Sequence, residues 1–284
     1  MTSTRQPSVP ADLEEQVARA LREDVGSGDV TANLVPPTRD AVATVITRED
    51  AVICGQPWFD ATFAQLDPRI AVEWLVPEGA RTSAASTLCN VRGNARAVLT
   101  GERTALNFLQ LLSATATAAR RFVDAVSGTG CEILDTRKTI PGLRTAQKYA
   151  TAVGGARNHR IGLFDAVLIK ENHIAAAGSI AAAIAAARAT TRVSIEVEVE
   201  NLEELRQAIA ARPDSALLDD FSLEDMRAAV ALNRAHGSPL KLEASGGIQL
   251  DNVRAIAQTG VDFISVGSLT KHVRAVDLSM RIQA

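Results

Sequence analysis

The chain has 284 residues, of which 46% are hydrophobic and 22% charged, and its formal net charge is −3. These values are typical of one large or two ordinary globular domains, and they exclude an overall basic field for nucleic acid or an anionic membrane surface. The longest Ala- and Ile-rich stretch, residues 174–189, is too short and too polar to span a bilayer. Cys54, Cys89 and Cys131 show no CxxC spacing, and the chain opens with the polar run MTSTRQPSVPADLEE. We therefore expect reduced, buried thiols in a cytoplasmic protein.

The first part of the chain carries both helix and strand signals. Leu13, Val17 and Leu21 recur at helical spacing, and Asp12 stands where a helix cap is expected. Four further segments follow, with strand character in 41–55, 70–76 and 87–99 and helical character in 101–126. This order predicts a mixed α/β domain.

Short apolar strands alternate with helices from about residue 130 onward. The six strands are CEILD, DAVLIK, VSIEVEV, SALLD, LKLEAS and VDFISVG, and the Ala-rich segment 175–189 is one of the intervening helices. Their spacing matches a strand plus a crossover helix, which predicts a parallel α/β barrel or an open doubly wound sheet. We favour the barrel because no GxGxxG or P-loop motif opens a helix here.

Polar or glycine-rich residues follow every one of these strands. Ligands of parallel α/β proteins gather at the carboxyl ends of the strands. In chain order the endings are Thr136-Arg137-Lys138-Thr139, Lys170, Glu198, Asp219-Asp220, Ser245-Gly246-Gly247 and Gly267-Ser268. Such a series predicts one mouth for a ligand with several negative charges, with a phosphate at the two glycine-containing loops.

Each of these groups also has an ordinary structural interpretation. Arg137-Lys138 is compatible with a solvated loop, and Arg103 with an exposed helical arginine. Glu196 and Glu198 share one face of their strand, so they form either structural ion pairs or site carboxylates. The segment GGARNHRIG, residues 154–162, is either a surface turn or a cluster of donors.

Several longer strings make the chain similar to one enzyme family. TGERTALNFLQLLS, LDTRKTIPGLR, NHRIGLFDAVLIKENHI, EVEVENLEEL, ALLDDF, ASGGI and GVDFISVGSLTKHVRAVDLSMR resemble the quinolinate phosphoribosyltransferase family. The resemblance runs from about residue 12 to the end of the chain. It implies an N-terminal α/β sandwich domain over 1–115, to which 271–284 returns, and an open seven-stranded α/β barrel over 116–270. It also implies a homodimer in which Arg103 completes the partner's site.

The family's reaction joins quinolinate to phosphoribosyl pyrophosphate with Mg²⁺ and yields nicotinate mononucleotide, pyrophosphate and carbon dioxide. The resemblance implies that Lys138, Glu198 and Asp219 are catalytic, and that Glu198 and Asp219 lie near the metal. It assigns the quinolinate carboxylates to cationic side chains and the 5-phosphate to the glycine-containing loops. The implied substrate-binding residues are Arg103, Thr136, Arg137, Lys138, His159, Arg160, Lys170, Glu198, Asp219, Ser245, Gly246, Gly247, Gly267 and Ser268.

Two positions depart from the family's pattern, and three other interpretations compete. Ala156 and Asp220 stand where the family often has Gly and usually has Asn. A molybdenum-associated relative of the same fold is disfavoured by the intact TRK, NHR and KENH motifs, and a silent phosphate-binding protein by the presence of Lys138 and Glu198. An orotate-type phosphoribosyltransferase would need a phosphate loop directly after the acidic pair, where FSLE stands instead.

Overall fold

The computed structural model describes residues 7–237 and 240–283. In chain order the helices are α1 (Leu13–Val25), α2 (Gln56–Leu66), α3 (Ala95–Ala125), α4 (Arg144–Val153), α5 (Glu171–Ala177), α6 (Ile180–Thr190), α7 (Leu202–Ala211), α8 (Leu223–Ala235), α9 (Val253–Ala257) and α10 (Ser268–Lys271). The strands are β1 (Asp40–Thr47), β2 (Ala51–Val52), β3 (Ala71–Trp74), β4 (Arg81–Thr82), β5 (Thr87–Asn94), β6 (Glu132–Leu134), β7 (Ala166–Ile169), β8 (Ser194–Val199), β9 (Ser215–Asp219), β10 (Lys241–Ser245), β11 (Phe263–Ser265) and β12 (Leu278–Ile282).

Two compact units share these elements. The first unit contains the chain up to Arg120, the segment Thr139–Gly155 and the chain from Ser268 onward. The second unit contains Arg121–Lys138 and Ala156–Gly267. The predicted division at residue 115 places 139–155 with the barrel, whereas in the structure this segment packs within the first unit.

The first unit is a sheet packed on helices. Its four-stranded antiparallel sheet has the order β12-β1-β5-β3, so the end of the chain pairs with β1. One hydrophobic cluster joins this sheet to α2 and α3 through Phe59, Phe63 and Leu106. A second cluster joins α1, α2, α3 and α4. Helices therefore cover one face of the sheet in layers, as the sandwich prediction requires.

Asp12 occupies the N-cap position of α1, as predicted, but its side chain does not cap the helix. Asp12 precedes α1, but its backbone lies at φ −91° and ψ 9°, and its side chain makes no cap hydrogen bond. Its carboxylate instead accepts hydrogen bonds from Gln16 at 2.9 Å and from Thr145 on α4 at 3.0 Å. These bonds, with the packing of Tyr149 against Trp58 at 5.2 Å between ring centroids, hold α4 in the first unit.

The second unit is built on a parallel sheet of the order β6-β11-β10-β9-β8-β7. All six strands coincide with predicted ones, which confirms the α/β barrel-type fold. The seventh strand is reduced to one parallel bridge, in which Arg157 pairs with Leu134 of β6. This segment stays short because the following residues, 158–160, turn toward buried carboxylates and leave the ladder.

The predicted Ala-rich helix over 175–189 is two helices. Gly178 ends α5 with a positive φ of 89°, a conformation that interrupts a right-handed helix. Ser179 then caps α6 by accepting a hydrogen bond from the Ala182 amide. Within the described residues no single helix has the length and apolarity to cross a membrane, although the bent pair α5 and α6 passes that test together. Cys54, Cys89 and Cys131 are free and buried, as predicted.

Candidate active site

The carboxyl ends of β7, β8 and β9 bring a lysine and two carboxylates to one edge of the sheet. Lys170 directly follows β7, Glu198 is the last but one residue of β8, and Asp219 ends β9. The strand register pairs Glu198 with Leu217. Asp219 follows Leu217 by two residues, so it lies on the same face of the sheet as Glu198 and farther toward the carboxyl end. Lys170 Nζ donates to Glu198 Oε2. Glu198 is therefore part of an ion pair, and that ion pair lies among the predicted site residues.

The Asp219 carboxyl group lies near other negative charges at this edge. Burial raises its pKa, and the negative charges of Glu198 and Asp220 raise it further, while Lys170 and Lys138 act in the opposite direction. Glu198 and Asp220 therefore both repel the charged form of Asp219, which needs cationic partners. A divalent cation or the developing positive charge of a reacting ribose would relieve that repulsion.

The loop after β6 lies against the loop after β11. The Lys138 amide donates to Thr136 Oγ1 at 3.1 Å, which bends the segment that follows the strand. The Lys138 side chain crosses Gly267, because a Cβ built on Gly267 would meet Lys138 Cδ at 3.0 Å and Nζ at 3.8 Å. The absence of a side chain at Gly267 therefore leaves room for the Lys138 side chain at the edge of the sheet.

The Ser245-Gly246-Gly247 loop continues the same edge after β10. Ser245 pairs with Asp219 in the parallel ladder, and its carbonyl accepts a hydrogen bond from the Asp220 amide at 3.1 Å. Asp220 has a positive φ of 52°, a conformation in which Asn and Asp are enriched. Its carboxylate lies against Gly246, since a Cβ at that position would meet Asp220 Oδ1 at 1.8 Å. Only glycine fits there without moving the acidic side chain.

Two guanidinium groups lie close enough to repel each other. Burial lowers the pKa of Arg160, and the charge of Arg137 lowers it further. Arg137 Nε is buried and has no hydrogen-bond partner among the described residues. Glu196 and Asp165 compensate part of the charge on Arg160. Buried donors of this kind fit an anion with more than one acceptor group.

His159 is held inside the sheet by two glutamates. Its Nε2 lies 2.9 Å from Glu196 Oε2 and 3.3 Å from Glu243 Oε2. Glu196 belongs to β8 and Glu243 to β10, with β9 between them, and both side chains reach the same nitrogen of His159. Ser215 Oγ donates to Glu196 at 3.0 Å. The side chains of Glu196 and Glu243 are 7% and 2% exposed, and a carboxylate at that depth requires such partners.

This cluster retains a proton that isolated side chains would lose. Burial opposes protonation of His159, but hydrogen bonds to Glu196 and Glu243 outweigh it and raise the pKa of His159 to about 10. The Arg160 amide donates to Nδ1 at 2.7 Å, which conflicts with a second proton on that nitrogen. Burial also raises the pKa of Glu243. We therefore place the extra proton on Glu243, with the imidazole proton on Nε2.

The position of the imidazole proton also decides whether these three side chains form a hydrogen-bonded cluster or a metal site. His159, Glu196 and Glu243 offer three atoms within 4.8 Å of one another, which resembles a metal-ligand set. A metal bound at Nε2 would displace its proton to Nδ1, where the Arg160 amide already donates. The geometry therefore favours hydrogen bonding over metal ligation.

Sequence reasoning missed Asp135 and Glu243 as residues that position this segment. Asp135 is fully buried and accepts hydrogen bonds from Asn158 Nδ2 at 2.7 Å and from the His159 amide at 2.9 Å. Glu243 precedes Ser245 by two residues, as Glu196 precedes Glu198, so its inward direction was readable from the pattern. Its partner was not readable from the pattern.

The predicted residues do not all lie at one edge of the sheet. His159 and Arg160 line a cavity of about 300 Å³, together with Ser194 and Ser215, which begin their strands. Arg160 Nη1 donates to the carbonyl of Ala166, the first residue of β7, at 3.4 Å. His159 therefore occupies a deeper layer than Lys170 and Asp219.

Two predicted residues lie in the first unit, and one departure from the family's pattern is simply accommodated. Arg103 is exposed on α3. Ser268 begins α10 directly after Gly267, the last residue of the second unit. The methyl group of Ala156 is buried at 6% exposure without an unusual backbone conformation.

Comparisons with known proteins agree with this architecture. The model of the quinolinate phosphoribosyl transferase C-terminal domain matches residues 115–281, and that of the N-terminal domain matches residues 29–113. The nicotinate-nucleotide pyrophosphorylase (carboxylating) of Mycobacterium leprae is 41% identical, over 94% of this chain and 95% of that protein. A probable enzyme of the same name from Synechocystis sp. is 42% identical, over 92% of this chain and 90% of that protein.

A solved structure extends the likeness to the fold. The nicotinate-nucleotide pyrophosphorylase from Francisella tularensis superposes with a TM-score of 0.93 at 48% identity, covering 97% of this chain and 98% of that one. Both domain models match in the expected order, and the relatives match over nearly their whole length. The chain belongs to the quinolinate phosphoribosyltransferase family.

Proposed function

We propose that this protein transfers the phosphoribosyl group of phosphoribosyl pyrophosphate to quinolinate with loss of carbon dioxide, producing nicotinate mononucleotide and pyrophosphate for NAD biosynthesis. One observation of the site carries the proposal. Arg137 and Arg160 repel each other, and Arg137 keeps a buried Nε without a partner among the described residues. The two adjacent carboxylates of quinolinate would satisfy both guanidinium groups through charge-assisted hydrogen bonds.

Transfer builds positive charge on the ribose. As the bond between the anomeric carbon and the pyrophosphate oxygen breaks, the carbon gains oxocarbenium character, which Glu198 and Asp219 stabilise by their negative charge. Lys138 and Lys170 offset the charge that accumulates on the departing pyrophosphate or orient a carboxylate. The Lys170–Glu198 ion pair keeps both groups in place before the substrate binds.

Decarboxylation needs no organic cofactor. The pyridine nitrogen of quinolinate forms the new bond to the anomeric carbon and becomes a pyridinium. The bond from ring carbon 2 to its carboxylate then breaks, its electron pair stays on carbon 2 beside the positive nitrogen, and a proton adds there. Arg137 and Arg160 have to orient that carboxylate without holding it so tightly that they stabilise the ground state.

We propose Mg²⁺ as the required ion. Glu198 and Asp219 would hold it together with substrate oxygens, and their mutual repulsion fits a divalent cation. When bound, the ion offsets negative charge on the pyrophosphate. Because Glu198 is already paired with Lys170, the site suits a metal that arrives with a phosphate ligand.

We also propose a homodimer in which Arg103 serves the partner's site. Arg103 is exposed on α3, so its guanidinium is available to another subunit. A two-fold interface would supply one such arginine to each site. The expected location of the enzyme is the cytoplasm, on the basis of its three free thiols.

A direct assay tests the proposed function. Purified protein with phosphoribosyl pyrophosphate and Mg²⁺ should convert quinolinate and leave nicotinate unchanged, because loss of one carboxylate leaves donors such as the buried Arg137 Nε unpaired. Arg137→Ala should raise the KM for quinolinate at least about tenfold. Arg157→Ala is the matched control, since that arginine is 61% exposed and pairs with Glu132. Efficient turnover of nicotinate, or equal effects of the two substitutions, would contradict the assignment.

A further inference from the structure

The glycine loop after β10 combines available donors with unusual backbone freedom. Gly246 and Gly247 both have positive φ values, of 97° and 58°. Within the described parts of the chain, neither amide donates a hydrogen bond to a backbone or side-chain acceptor. Glycine loses more conformational freedom on ordering than any other residue, so two in succession make an ordered loop costly. Something has to hold this loop in place if it is to bind a phosphate.

The Asn252 side chain bridges two backbone groups of this loop. Its Nδ2 donates to the Gly247 carbonyl at 2.9 Å, and its Oδ1 accepts from the Gln249 amide at 2.9 Å. One planar amide group thus bonds both a carbonyl and an amide of the segment that follows the glycines. At the other end, the Asp220 amide holds the Ser245 carbonyl. The glycines lie between these two fixed points.

The hydrogen bonds of Asn252 serve the loop and not the helix that follows it. Asn252 occupies the position before α9, where an asparagine often caps the helix. Its side chain makes no cap hydrogen bond to α9. Both of its bonds point backward along the chain to Gly247 and Gln249.

We propose that Asn252 is a positioning residue for the 5-phosphate of phosphoribosyl pyrophosphate. It acts through the backbone of Gly247, by fixing the loop so that the amides of Gly246 and Gly247 converge on the phosphate before it binds. A loop that is already ordered in the free protein loses less conformational entropy when the phosphate binds. The residue therefore increases affinity without touching the ligand. This inference rests on the proposed function, because it takes this loop as the phosphate subsite.

Two ligands separate the phosphate subsite from the rest of the substrate site. Ribose 5-phosphate carries the 5-phosphate without the leaving group, and pyrophosphate is the leaving group alone. In Asn252→Ala, the dissociation constant for ribose 5-phosphate and the KM for phosphoribosyl pyrophosphate should rise about threefold to tenfold, the range expected for a lost hydrogen-bonded constraint. The dissociation constant for pyrophosphate and the KM for quinolinate should stay within about twofold. Asn252→Ser keeps one hydroxyl, whose shorter side chain cannot bond the Gln249 amide and the Gly247 carbonyl at the same time, so this variant should lie between Ala and wild type.

Asn201→Ala is the matched control. Asn201 caps α7 by accepting a hydrogen bond from the Glu204 amide at 2.9 Å, a purely local role in the same unit. If both alanine variants melt at similar temperatures and only Asn252→Ala weakens ribose 5-phosphate binding, the positioning role is supported. If Asn252→Ala binds ribose 5-phosphate like wild type, or weakens pyrophosphate equally, the inference is overturned while the proposed function stands. A wild-type protein without affinity for ribose 5-phosphate overturns the inference whatever its activity, and one without turnover of quinolinate contradicts the proposed function.

Discussion

Replacing Glu243 by glutamine should change how stability depends on pH. Glu243 shares a buried cluster with His159 and Glu196, and the cluster retains one extra proton. The unfolded chain loses the corresponding histidine proton near its ordinary pKa of 6.5, whereas the folded cluster loses it at about 10. The folded state thus binds more protons within this window. The contribution of this cluster to the free energy of unfolding is fully present below pH 6.5, and it is lost as the pH rises toward 10.

The size of this effect follows from the same two values. Moving the pKa from 6.5 to about 10 corresponds to roughly 5 kcal/mol of stability that is lost across the window. In Glu243→Gln, an amide permanently replaces the protonated carboxyl group, so this titration disappears. The variant should resemble wild type near the lower limit of the window. Toward the upper limit it should be more stable, by up to roughly 5 kcal/mol.

Thermal unfolding of wild type and variant across this pH window measures the difference. Near the upper limit the variant should melt on the order of 10 °C higher than wild type. Titration of other lysines, tyrosines and cysteines affects both proteins and cancels in the comparison. Glu203→Gln, at a 68% exposed glutamate on α7, is the control and should follow wild type at every pH. A melting-temperature difference between Glu243→Gln and wild type that stays constant with pH would refute the proton assignment.

Three further predictions concern the chemistry of the site. Gly267→Ala should lower kcat/KM for phosphoribosyl pyrophosphate by about tenfold, because the new methyl group displaces the Lys138 side chain that lies 3.0 Å from the Cβ position. Unchanged kinetics would show that the position of this lysine side chain does not affect the reaction. Glu198→Gln or Asp219→Asn should lower kcat more than it raises KM, since both carboxylates act on charge that develops during the reaction; a normal kcat would leave them as structural ion pairs. Arg103→Ala and Lys138→Ala should each be nearly inactive. After the two variants exchange subunits, activity should recover to roughly a quarter of wild type, because about half the dimers become hybrids with one intact site. Subunit exchange that is verified by mass but restores no activity would contradict the shared site.

The strands of the second unit and most of their functional endings could be read from local sequence. An apolar run of a few residues followed by charged or glycine-rich residues predicts a buried parallel strand and its exposed end. Lys170, Glu198 and Asp219 lie where that rule places them. Local patterns also predicted α1, but not the direction in which Asp12 forms hydrogen bonds, because its partner Thr145 belongs to a distant helix.

Contacts between strands that are not neighbours depended on the tertiary structure. His159 lies 37 residues before Glu196, and Glu243 comes from β10, so no periodicity relates the three side chains. The folded sheet brings them together, and there hydrogen bonds to the two glutamates raise the pKa of His159 while burial raises the pKa of Glu243. The sequence by itself determined which side chains are charged and which strand ends carry them. Only the folded sheet decided which of those charges are paired, because pairing depends on distances between strands that the order of residues does not contain.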